Sequence, residues 1–176
     1  MAAPRISLWI FFACFLTMAG CDGGSDSGGS DSGGDISGAY LEFCTSTSAA
    51  EGVSAVVCKV IPDVINKYVT DENQRQGAYV IAIANNFYQT NDAGRASTWR
   101  VLVDEFGVDE SYFDPETHSI RGKLNEVIEA MYQNADVDYG GDRRAFKQSI
   151  EAKMTAPEAQ AYMEERIRHY SQQIPE

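Results

Sequence analysis

The side chains able to do chemistry are few. The chain has two histidines, four cysteines and a surplus of carboxylates. A general base or an activated nucleophile works only beside a positioned partner, and no spacing here supplies one. There is no G-x-S-x-G, S-x-x-K, H-E-x-x-H, Walker loop or pair of C-x-x-C motifs. His118 falls in a loop and His169 on the last expected helix, and both read as solvated rings. Carboxylate pairs abound in so acidic a chain, so glycosidase logic has no specificity. Asp136, Asp138 and Asp142 open like a calcium loop, with Gly141 where the turn glycine belongs. But Gly140 holds a ligand position, and Lys147 holds the place of the closing bidentate Glu. That stretch reads as a polar turn. No catalytic residue, metal site or cofactor is expected, and an enzyme is the weakest of the functional readings.

Cysteine is the residue type with most to say. Arg5 is followed by an apolar run, Ile6 to Met18, weighted by Trp9, Phe11, Phe12 and Phe15, then by Ala19, Gly20 and Cys21. These are the three parts of an export signal, and the run falls short of the about 20 apolar residues of a membrane span. Leu16-Thr17-Met18-Ala19-Gly20-Cys21 resembles the lipobox of bacterial lipoproteins, with Met18 where Leu is usual. The resemblance covers these first residues alone. It implies that the Cys21 thiol is diacylated, that residues 1–20 are cut away, and that the new amine is acylated. The alternative is ordinary signal-peptide cleavage with Cys21 left as a thiol. Several acyl chains, at ~0.8 kcal/mol per buried methylene, hold a protein on a bilayer where one chain is marginal. Asp22 is the residue that tends to keep enteric lipoproteins in the inner membrane; the rule is not general, so inner membrane, outer membrane and cell surface all stay open.

The formal net charge is −12, and loss of Arg5 with the signal makes it −13. Nucleic acid is excluded as a partner, because phosphate binding needs basic surface and Arg143-Arg144 and Arg166/Arg168 are too sparse to provide it. Acidity suits basic protein partners. Cys44 and Cys58 remain as an even pair in an oxidising compartment, which predicts a disulfide. Closing a loop of ~15 residues adds about 3 kcal/mol in the chain-entropy model. A metal site is the alternative, but two thiols without a nearby His make a poor one.

The positioning elements follow in order. Residues 21–38 join the acylated cysteine to a Gly/Ser/Asp leash, with Asp22, Asp26, Asp31 and Asp35 at near-regular spacing. It offers no apolar surface and at ~5–6 Å × √n spans a few tens of Å. Residues 39–176 form the head. Tyr40 to Thr47 is a short amphipathic piece. Val53, Val56, Val57, Val60, Ile61, Val64, Ile65, Tyr68 and Val69 make one continuous helical face, with Pro62 inside it to kink or split the helix. Ala78 to Tyr88 reads as the most buried helix. It includes Asn85 and Asn86, which need hydrogen bonds if they face inward. Ala96 to Phe106 stops at Gly107. Further helices run from Ile120 to Tyr132, from Arg143 to Met154, and from a Thr155-x-x-Glu158 capping box with Pro157 in its first turn. The fold class is all-α, a single bundle of five to six helices with one disulfide. Phe87-Tyr88-Gln89 and Met131-Tyr132-Gln133 form a faint echo that reads as ordinary helix ends.

The candidate interaction surface is the acidic segment of Asp104, Glu105, Asp109, Glu110, Asp114 and Glu116, with Tyr112 and Phe113 as interface aromatics. The alternative is a solvated loop whose aromatics tuck under the bundle. The whole reads as a lipid-anchored helical protein facing the periplasm, a protein-binding adaptor or assembly factor of the envelope. Pilotins, the lipoproteins that chaperone secretins, share this plan of lipid, leash and helical bundle, but no pilotin motif is present. The second reading is an inhibitor or immunity protein against a basic periplasmic toxin or hydrolase, and the third a cell-wall hydrolase.

Overall fold

A computed structural model describes residues 36–52 and 55–173. The export signal, the lipidation expected at Cys21 and the leash as far as residue 35 lie outside these. Within them are seven α-helices: α1 (Ile36–Glu51), α2 (Val56–Tyr68), α3 (Glu72–Gln89), α4 (Asp92–Asp104), α5 (Leu124–Asn134), α6 (Arg143–Met154) and α7 (Pro157–Ser171). A 3-10 turn, Glu110–Tyr112, follows α4. Among the described residues β-pairing is confined to one isolated bridge, Phe113 to Ile120. The fold is all-α, as the periodicity predicts, with seven helices in place of five to six.

The extra helix is α1. It starts at Ile36, so the last residues assigned to the leash are helical, and it runs past Thr47 to Glu51. Ile36, Tyr40, Phe43, Cys44 and Ser48 are its buried positions, a complete helical stripe. The stripe is hard to read because its later half is Thr, Ser and Ala, weak in hydrophobic signal and, for Ser and Thr, weak in helix propensity. Ser48 is made compatible with burial by donating from Oγ to Cys58 Sγ at 3.1 Å. The Cys44–Cys58 disulfide is present, with Cα atoms 5.5 Å apart, and it staples α1 to α2.

Pro62 lies inside α2 without ending it. Asp71, Asn91 and Asp142 cap α3, α4 and α6 by accepting from Gln74 N, Gly94 N and Ala145 N, the expected Asp/Asn chemistry. The Thr155 capping box does not form. Ala156 is the N-cap of α7 and gives no side-chain bond. Thr155 is instead the C-cap of α6, its amide bonded to Glu151 O; so short a connection leaves it no second role. Pro157 does open α7. Ile120 belongs to the bridge and not to a helix; α5 begins at Leu124, after Gly122 at φ +69°.

The core centres on α3, which packs against α1, α2, α4, α5 and α6. Its buried residues run without a break from Gly77 to Asn85, and Phe87 follows. Gly77 permits a close approach of α6: a Cβ there would sit 2.4 Å from Phe146 Cε1. Tyr40 and Tyr79 meet at 5.6 Å, and burial pushes the Tyr40 hydroxyl well above its ordinary range. Asn85 is buried as well, and its Nδ2 has no hydrogen-bond partner among the described residues.

Candidate functional site

The acidic segment is placed by α1 and α4. Glu51, at the end of α1, accepts from the Thr90 hydroxyl and from Asn91 N, which joins it to the start of α4. The two helices share that end, and their mutual contact is the most extensive among the described residues. They therefore run antiparallel. The end of α4, with Asp104 and Glu105, is thereby directed toward the beginning of α1.

Beyond α4 the chain turns at Gly107, whose φ is +56°. Val108 N bonds back to Leu102 O at 3.1 Å, which satisfies one of the last carbonyls of α4, and Asn134 Nδ2 on α5 donates to Phe106 O at 2.7 Å. Leu102, Phe106 and Val108 are buried. These three pin the segment by its apolar side and leave Asp104, Glu105, Asp109 and Glu110 exposed.

The carboxylates are not equivalent. Asp109 accepts from Ser111 N at 2.8 Å, and the Ser111 hydroxyl and amide hold its carboxyl below the usual range. Asp114 accepts from Thr117 N at 2.9 Å, Glu116 N at 3.0 Å and the Thr117 hydroxyl at 3.2 Å. Those amides first, with help from the hydroxyl and Arg121, depress its carboxyl as well. Glu110 pairs with Arg100 at 3.2 Å. Asp104 and Glu105 carry their charge at the helix end, where it opposes the helix dipole and so serves no stabilising role there.

Aromatic rings form the floor. Phe113 is buried, 5.6 Å from Phe87 and 5.8 Å from Trp99. It tucks under the bundle and leaves the exposed set, because its bridge to Ile120 turns it inward. Tyr112 is half-buried at the margin. Trp99, also half-buried, carries the His118 ring stacked at 4.8 Å and 20°, and the Arg100 guanidinium 4.1 Å from its centroid. His118 reaches this place through a φ of +55°, held by His118 N to Asp114 O and Asp114 N to Ser119 O, both 2.8 Å. Trp99, Arg100 and His118 are the residues that sequence reading did not join to the acidic segment. Trp99 has core spacing along α4, and nothing local connects it with a histidine beyond the next turn.

The other candidate groups lie apart. His169 is exposed on α7, its Nε2 2.9 Å from Gln173 Nε2. In the 136–142 turn, Asp138 Oδ1 accepts from Gly140 N at 2.7 Å and Asp142 caps α6, so both are occupied by backbone. Among the described residues no group of three or more His, Cys, Asp and Glu is placed to hold a metal ion, and no helix is long and apolar enough to cross a membrane. Compared with protein-family models, with curated proteins and with solved structures, the chain matches none.

Proposed function

We propose that this is a lipid-anchored envelope protein whose helical head binds a protein partner through the acidic end of α4 and the turn that follows, as an adaptor or assembly factor. The observation that supports the reading is the ordering of that segment. Asp109 and Asp114 fix its backbone, Phe113 and Val108 anchor it, and Asp104, Glu105 and Glu110 are left to face outward on a rigid base. A preformed charged surface spares a partner the entropy of ordering it. The resemblance of residues 16–21 to a lipobox supplies the membrane anchor in this reading, and Ile36, where the chain from that anchor enters the head, lies toward the same end of the α1–α4 pair as Asp104.

The test is a crosslinked pull-down of the tagged protein from the envelope of the cells that make it, with Cys21→Ser and Asp104→Lys/Glu105→Lys variants beside it. The adaptor reading requires a prominent protein partner lost in both variants. A partner retained by the charge-reversed head would move the interface elsewhere, and no partner at all would end the reading.

The acidity of the same surface favours a second reading, an inhibitor or immunity protein. Its partner would be a single basic toxin or hydrolase, with an association rate that falls steeply as salt rises. Asp109→Lys/Glu110→Lys would abolish that binding, and a salt-independent rate would exclude it.

A further inference from the structure

We propose that α7 is a strap that undocks from α2 as a unit while the rest of the bundle stays folded. The helix follows α6 directly and packs on α2, with a lesser contact to α6. Of its 15 residues only Ala159 and Met163 are buried. By comparison α3 buries ten of its 18. Tyr162, Ile167 and Tyr170 pack against the core only partly buried, so apolar burial holds α7 less firmly than α3.

What fixes its position is an antiparallel ladder of polar and aromatic rungs. Lys59, Asp63 and Lys67 follow one another at i, i+4, i+8 along α2, and Tyr170, Arg166 and Tyr162 do so in reverse along α7. Lys59 Nζ lies 5.7 Å from the Tyr170 ring centroid. Arg166 Nε donates to Asp63 Oδ2 at 2.6 Å, and the Tyr170 hydroxyl donates to the same oxygen at 2.8 Å. Arg166 Nη2 donates to the Tyr170 hydroxyl at 2.8 Å. Lys67 Nζ lies 3.5 Å from the centroid of Tyr162, which meets Tyr68 edge-on at 5.8 Å. Tyr68 Oη closes the far end by donating to Glu158 O at 2.9 Å.

Each rung sets register, since a slip along α7 breaks them all. Together they add a modest stabilisation, because the charges keep partial contact with water: the Arg166 and Asp63 side chains are 23% and 29% exposed. Geometrically specific docking with limited buried apolar area is the condition for local opening below the free energy of global unfolding. The body retains α2 when α7 leaves. Cys58 is bonded to Cys44 on α1, and α2 also packs on α1, α3 and α6.

Native-state hydrogen exchange on the folded protein tests this. The amides of residues 162–170 should open together, at least about tenfold more often than those of residues 78–85 in α3. Asp63→Asn leaves an uncharged amide facing Arg166 and should raise opening in α7 about tenfold, with α3 unchanged. Equal protection of α7 and α3 in the unaltered protein would overturn the proposal. So would an Asp63→Asn effect of the same size in both helices.

Discussion

Asp114 shows how much of an acidic residue's work is invisible in its charge. Its carboxylate organises the 113–120 turn by accepting from two backbone amides and a hydroxyl. Its folded pKa is thereby lowered from the ordinary range of about 3.9. A depressed carboxyl adds stability that is fully present above about pH 4 and is lost as pH falls through the folded value. Trp99 reports on this turn, since both Phe113 and His118 lie against its ring. Its emission should change as pH falls below about 4. Asp114→Ala should give the loosened-turn emission already at neutral pH; identical profiles for the two proteins would refute the assignment. Part of this was legible. Asp-Glu-Ser and Asp-Pro-Glu-Thr are spacings at which an Asp bonds backbone two or three residues on, a signal that a reading of charge alone passes over. The His118–Trp99 stack was not legible, because it depends on a positive φ at a residue that gives no local sign of it.

The helices themselves were readable to the extent that their apolar stripes were. The valine-rich face of α2 and the run of α3 declare a 3.6-residue period. The second half of α1 does not, and Thr155 looked like a helix start because Thr with Glu three residues on fits a capping box, while nothing local marks it as already closing α6. Close approach between elements leaves the faintest trace of all. Gly77 is an isolated glycine in a helix, a position where Ala ordinarily gains about 1 kcal/mol. Here the added methyl would meet Phe146 Cε1 at 2.4 Å and Cζ at 2.7 Å, atoms of a stiff ring set among buried neighbours. Overpacking of this kind costs ~1–3 kcal/mol, which outweighs the propensity gain. Gly77→Ala should therefore lower the urea midpoint of unfolding, and an increase would show that α6 can step back without loss.

At the scale of the whole molecule, the all-α class follows from periodicity, while the arrangement of the helices does not. The α2–α7 ladder joins residues about a hundred positions apart, such as Asp63 and Arg166, and no local pattern marks either end of it. The disulfide was the one long-range contact that counting could reach, because only Cys44 and Cys58 are left once Cys14 and Cys21 are assigned to the expected signal and lipobox. It closes a separation of 14 residues. Replacing both cysteines by Ala should destabilise the head by about 3 kcal/mol, read as a drop in the urea midpoint relative to the oxidised protein; an unchanged midpoint would show that strain cancels the loop constraint. The placement of that bridge also governs how the head would answer tension. A pull on the chain ahead of Ile36 can peel about two turns of α1 before it reaches Cys44. There the covalent bond hands the force to Cys58 and bypasses the rest of α1 and the turn after it. To yield further, the head must have α2 dragged out from between its neighbours. In the lipid-anchored protein proposed above, the bridge would thus stop unravelling close to the point of attachment.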